Sequence, residues 1–179
     1  MRLSDARTPR AAGVRILGID PGSLVTGYGL IEAFGQEARH VASGCIRTPA
    51  GELPQRLRAI YAAVSELMTS YAPAEVAIER VFMSRNPDSA LKLGQARGAA
   101  LCATFAVQIG IYEYAPRAIK QAVVGNGGAD KHQVQHMVKL LLHLERSPAA
   151  DAADALAVAL CHAHLRKTGA LLAQARLRA

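Results

Sequence analysis

The chain has 179 residues, 51% of them hydrophobic, which suits one domain with one sizeable core; with 4% aromatics and no Trp, Ala, Leu, Val and Ile must fill it. Lys and Arg number 21 against 14 Asp and Glu, a formal charge of +7 that suits a polyanionic partner without proving one. Cys45, Cys102 and Cys161 lack the paired spacing of a zinc site or disulfide framework and read as buried thiols; with no apolar run fit to span a membrane and no apolar core in the opening MRLSDARTPRAAG, a cytoplasmic protein is expected.

Residues 1–13 read as a disordered or alternatively started leader. VRILGI (Val14 to Ile19) has the look of a fully buried strand, broken by the turn chemistry of Asp20-Pro21-Gly22-Ser23. Thr26 to Ile31 and Val41 to Arg47 follow as strands, making a three-stranded antiparallel meander. Leu57, Ile60, Tyr61, Val64, Leu67 and Met68 give Leu53 to Tyr71 the spacing of an amphipathic helix, ended by Pro73. Glu75 to Glu79 is a short buried strand. Asp88, as N-cap, opens a second long helix reaching Ile109, and Ile111 to Tyr114 returns as a strand. Pro116 starts a short helix, Gly125 to Gly128 form a loop, and helices follow over Asp130 to Leu144 and Ala150 to Arg166. The expectation is one α/β domain over 14–168 with a mixed sheet, followed by a basic tail over 169–179.

Four carboxylates stand where solvation alone does not explain them. Asp20 closes the first apolar strand, where turn propensity is the competing account. Glu79 closes Val76-Ala77-Ile78 in the same way, and a solvated strand end is its bland alternative. Asp151 and Asp154 lie one turn apart on an otherwise apolar helix, where dipole preference accounts for one better than for both. Such a group repels itself unless a cation intervenes, and oxygen-only ligands suit Mg²⁺ or Mn²⁺ rather than zinc. Two ions about 4 Å apart would suit phosphodiester hydrolysis, which needs no side-chain nucleophile, and no Ser/His/Asp or Cys/His arrangement is persuasive here.

ILGIDPGSLVTGYGLI, SGCIRT, AIERVFMSRNPDSALKLGQARG, IKQAVVGNGGADKHQVQHMV and DAADALAVALCHAH resemble, in order, the RuvC family of bacterial Holliday junction resolvases, from about Val14 to His164. The resemblance implies an α/β, ribonuclease H-like fold, a mixed central sheet of about five strands flanked by helices. It implies Asp20, Glu79, Asp151 and Asp154 as catalytic metal ligands, with two Mg²⁺ per subunit for which Mn²⁺ substitutes. It further implies a homodimer acting on four-way junction DNA beside the RuvA–RuvB branch-migration complex. Phe82, otherwise a loop aromatic folded onto the core, would stack on a base near the cut. Lys120 and Lys131, otherwise surface lysines, would contact phosphate, and Arg80, Arg85 and Asn86 flank Phe82 as further candidate DNA contacts.

His132 and His136 lie a turn apart without a third ligand and read as a solvated or DNA-facing face; His162, two turns past Asp154, has a possible supporting role. Ala90, Gly94, Ala96, Gly98, Ala99, Ala100 and Ala103 let another helix approach, either within the monomer or across a two-fold axis. Two rival readings are a sugar-kinase or actin-like ATPase, which needs a second phosphate loop not found here, and a junction-binding module without catalysis, against which the four acidic positions argue.

Overall fold

The computed structural model describes residues 13–35, 37–81 and 86–177, the last eleven as helical backbone. Three strands open the chain: β1 (Val14–Asp20), β2 (Val25–Phe34) and β3 (Glu37–Arg47). Helix α1 (Leu53–Tyr71) leads to β4 (Glu75–Glu79), and α2 (Pro87–Cys102) to β5 (Gly110–Tyr114). Helices α3 (Pro116–Val124), α4 (Lys131–Leu141) and α5 (Ala150–Leu177) complete the chain. The five-stranded sheet has the order β3-β2-β1-β4-β5, antiparallel among the first three and parallel from β1 to β4 to β5. This is the expected mixed sheet of a ribonuclease H-like α/β fold.

The period-2 alternation of strand side chains splits the core into two layers. Leu17, Ile19, Leu30, Val76 and Ile78 face α1 and α2. Ile16, Ile31 and Ala77 face the other way, onto α5, with α3 and α4 beside it. Gly18 and Gly29 are register partners, as are Asp20 and Gly27, and all four lie on the α5 side. A Cβ at Gly27 would run into the Asp151 carbonyl, and one at Gly18 into the Ala155 carbonyl. The glycines thus let α5, itself lined with buried alanines, lie directly on the sheet.

Several expected boundaries move. Helix α2 ends at Cys102 rather than Ile109, because the chain turns through 103–106, with the Thr104 hydroxyl donating to the Leu101 carbonyl at 2.8 Å. Its N-cap is Asn86, not Asp88: the Asn86 side chain accepts from the amides of Asp88 and Ser89. Helix α4 begins after Asp130, whose capping box with Gln133 fixes the start, and ends at Leu141. Helix α5 runs past Arg166 to Leu177, so much of the expected tail is helical. Strands β2 and β3 extend to a turn at Gly35, longer than the apolar runs suggested. Of the three cysteines expected to be buried, Cys161 is; Cys45 is half-buried, and Cys102 is exposed at the surface end of α2. Among the described residues no helix is long and apolar enough to cross a membrane. The leader through residue 12 lies outside the described residues.

Candidate active site

Asp20 and Glu79 end adjacent parallel strands, since Ile19 pairs with Ile78 just before them. Alternation turns both carboxylates to the α5 side: Glu79 shares its face with Ala77, and Asp20 shares its face with Gly18 and Ile16. The chain can leave β1 sharply after Asp20 because buried Thr26 straps the turn, its hydroxyl donating to the Gly22 carbonyl at 2.8 Å. Asp154 comes from the second turn of α5. Together with Lys120 of α3 and Lys131 of α4, these carboxylates line a cleft of about 260 Å³, floored by Ile119, Val134 and Ala157.

Electrostatics mark the cleft as a place of concentrated negative charge. Burial, then the charges of Glu79 and Asp154, push the Asp20 carboxyl up from 3.8 to about 8, and it hydrogen-bonds Glu79. Burial and Asp154 raise Glu79 as well, against the pull of Lys131 and Lys120. Burial likewise raises Asp154, although Lys131 opposes it. Lys131 Nζ stands 3.4 Å from Asp154 Oδ2, and that carboxylate holds the ammonium above its ordinary range. Asp151 sits one turn earlier on α5, half-buried and outside the cleft lining, yet its charge raises both Asp20 and Asp154.

The donor set and its charge fit a hard divalent cation: carboxylate oxygens only, ionised at a cost because of their neighbours. The carboxylates share the cleft without converging, since among the described residues no three His, Cys, Asp or Glu side chains are grouped closely enough to hold a metal ion as they stand. A proton shared by Asp20 and Glu79 and the ammonium of Lys131 offset the charge in this arrangement.

The other expected contacts divide. Arg80 directly follows Glu79 and faces Glu113 at 3.6 Å, which also binds Arg97 of α2 at 2.6 Å. Asn86 is exposed and caps α2. Phe82 and Arg85 lie outside the described residues. His132 and His136 are both exposed on α4. Sequence reading passed over Glu75, Tyr114 and Arg166, which surround buried His162, and over the Glu113–Arg97 pair. One signal for Glu75 was available: in EVAIE it shares the strand face of Glu79.

A family model described as crossover junction endodeoxyribonuclease RuvC matches residues 16–162. The chain is 57% identical over 163 residues to the crossover junction endodeoxyribonuclease RuvC of Alkalilimnicola ehrlichii, covering 87% of this chain and 99% of that one. It is 60% identical over 158 residues to the protein of the same description from Vibrio parahaemolyticus, covering 88% and 91%. A solved structure of Thermus thermophilus RuvC in complex with Holliday junction substrate is similar with a TM-score of 0.81 at 35% identity, covering 87% of this chain and 96% of that one. The yeast mitochondrial Holliday junction resolvase Ydc2, 12% identical with a TM-score of 0.62, shares the fold.

Proposed function

The chain belongs to the RuvC family of crossover junction endodeoxyribonucleases, and from that premise we propose that it resolves Holliday junctions by metal-dependent phosphodiester hydrolysis, nicking two opposed strands symmetrically. The observation that carries this reading is the single cleft in which Asp20, Glu79 and Asp154 meet Lys120 and Lys131.

In this reading Asp20, Glu79, Asp151 and Asp154 hold two Mg²⁺ per subunit, with Mn²⁺ as a substitute. Divalent cations bound there activate water and polarise the scissile phosphoryl group. Lys120 and Lys131 draw the phosphate in and balance charge that develops on it. With a cation held at Asp154, the Lys131 ammonium would be available to the substrate. Arg80 directly follows Glu79 in the chain, and in this reading Phe82 stacks on a base while Arg80, Arg85 and Asn86 contact the backbone.

A homodimer supplies the second cut. Ala96 and Ala100 are buried within the subunit, whereas a Cβ at Gly94 or Gly98 would meet nothing. Leu91, three residues before Gly94, is 68% exposed, and Phe105 beyond the helix is 63% exposed. A second copy covering this face would place two clefts about a two-fold axis, matching the two-fold character of a four-way junction. The protein acts on DNA in the cytoplasm, alongside the RuvA–RuvB complex.

The test is cleavage of a synthetic four-way junction with Mg²⁺, beside a linear duplex of the same sequence, for the wild type and Asp20→Asn. Paired symmetric nicks in the junction alone, lost in the variant while junction binding persists, are expected. Binding without cutting under every metal tried would leave a junction-binding module; equal loss of binding and cutting in Asp20→Asn would overturn the carboxylate's role.

A further inference from the structure

Strand β4 and helix α5, which bring Glu79 and Asp154 to the cleft, meet a second time deeper in the molecule. Glu75 lies four residues before Glu79 on the same face of β4, and His162 lies eight residues beyond Asp154 on α5. Four strand residues span about 13 Å and eight helical residues about 12 Å, so the two contacts form rungs of nearly matched spacing.

The deeper rung is a directional chain of hydrogen bonds. His162 is 0% exposed. Its Nε2 lies 2.7 Å from Glu75 Oε2, and Arg166 donates to Glu75 Oε1 at 2.8 Å. Tyr114 Oη lies 2.7 Å from His162 Nδ1, and the Tyr112 ring stacks on the imidazole with centroids 4.2 Å apart. Burial opposes ionisation of Glu75, but Arg166 and His162 outweigh it and hold the carboxyl below its ordinary range. An ionised carboxylate accepts only, so in the neutral ring Nε2 donates to Glu75 and Nδ1 accepts from Tyr114. The Tyr114 hydroxyl, pushed up to about 12 by burial, retains the proton it donates.

Where α5 crosses Gly18 and Gly27 of the strands, its interface is built from small residues, Ala152, Ala155 and Ala159, while Leu156 packs on Gly29 and Leu160 is buried farther along the helix. Smooth packing of this kind tolerates sliding, whereas a buried polar group that must find its partner specifies register. A slip of one residue moves a helical side chain about 1.5 Å, while a catalytic constellation must hold to about 0.5 Å.

We propose that Tyr114, His162, Glu75 and Arg166 are positioning residues that lock the axial register of α5 on β4, and so set Asp151 and Asp154 against Asp20 and Glu79. The inference rests on the metal-site reading above. Its consequence is that cutting the deeper rung weakens metal binding at a cleft none of these side chains lines.

The test measures Mn²⁺ binding by electron paramagnetic resonance at 20 °C, with kcat and KM for junction cleavage, in the wild type, Asp20→Asn, His162→Leu, His162→Gln and Tyr114→Phe. Val138→Ala, a buried core change on α4, controls for lost stability. His162→Leu and Tyr114→Phe are expected to weaken Mn²⁺ about fivefold to tenfold, at the low end for groups beyond a metal's direct ligands, and to lower kcat with KM unchanged. His162→Gln, which keeps a donor for Glu75, should recover part of the loss, and Val138→Ala should melt earlier yet bind Mn²⁺ as the wild type does. Unchanged Mn²⁺ affinity in both His162→Leu and Tyr114→Phe would overturn the proposal and leave the chain a stabilising network. Absence of Mn²⁺ binding in the wild type, or its persistence in Asp20→Asn, would overturn the metal-site reading first and this inference with it.

Discussion

The substitution Asp20→Asn keeps the shape of the side chain and removes its charge, so it measures the electrostatic load of the cleft directly. The folded chain holds the Asp20 proton up to about pH 8, while an unfolded chain releases it near the ordinary 3.8. Between those values the unfolded state binds fewer protons, and the stability of the metal-free protein falls as pH rises. At 1.36 kcal/mol per tenfold, the rise from 3.8 to about 8 sets a ceiling of about 6 kcal/mol. The cleft is open to water, which screens the repulsion, so the expected gain from Asp20→Asn at pH 8 is about 2 kcal/mol. For a chain of this length that is about 4–8 °C in Tm. At pH 4 Asp20 is neutral in the wild type as well, and the two proteins should melt together. Added Mg²⁺ should raise the wild type and leave the variant nearly unmoved, narrowing or reversing the order. Thermal melts by circular dichroism from pH 4 to pH 8.5, with and without Mg²⁺, read all of this in one series. A variant that melts at or below the wild type at pH 8 without metal would refute the argument that these carboxylates burden the fold.

Two further perturbations probe the cleft from other sides. Lys131→Ala removes the ammonium that sits against Asp154, so Mn²⁺ should bind about two- to fivefold tighter while single-turnover cleavage falls at least about tenfold; weaker metal binding would mean that Lys131 does not compete for Asp154. Gly27→Ala drives a Cβ into the Asp151 carbonyl, so α5 must lift, at about 1–3 kcal/mol in urea denaturation and with a loss of cleavage that persists well below the melting range; wild-type cleavage would show that the helix can yield there without disturbing its carboxylates.

The parts of this molecule legible in the sequence were those set by local rules. Apolar runs ending in Asp20 and Glu79 marked two strand ends, though not that the strands are neighbours, and the Leu57-to-Met68 spacing marked α1. Local pattern misled at α2, where Phe105, Val107 and Ile109 continue an apolar series but lie on turns and extended chain; Phe105 and Val107 are largely exposed. Nothing local ends α5 at Arg166, and the helix passes Gly169 unbroken. What stayed hidden were pairings between distant residues: Tyr114 with His162, 48 positions apart, and Glu75 with His162, 87 apart. No periodicity encodes such a partner; the sheet order creates it. The candidate site fell between these cases, since each carboxylate was visible locally but the Lys131–Asp154 contact depends on how α4 docks on α5.

That contact, with the hydrogen bond between Asp20 and Glu79, balances part of the cleft's charge from within the chain. Small metal-built domains lose their shape when their ion is withdrawn, because the ion is the core. Here the counter-charges come from the chain, and the two hydrophobic layers close without outside help. A chelator would therefore silence the protein and leave it intact, and returning the ion would restore it without refolding.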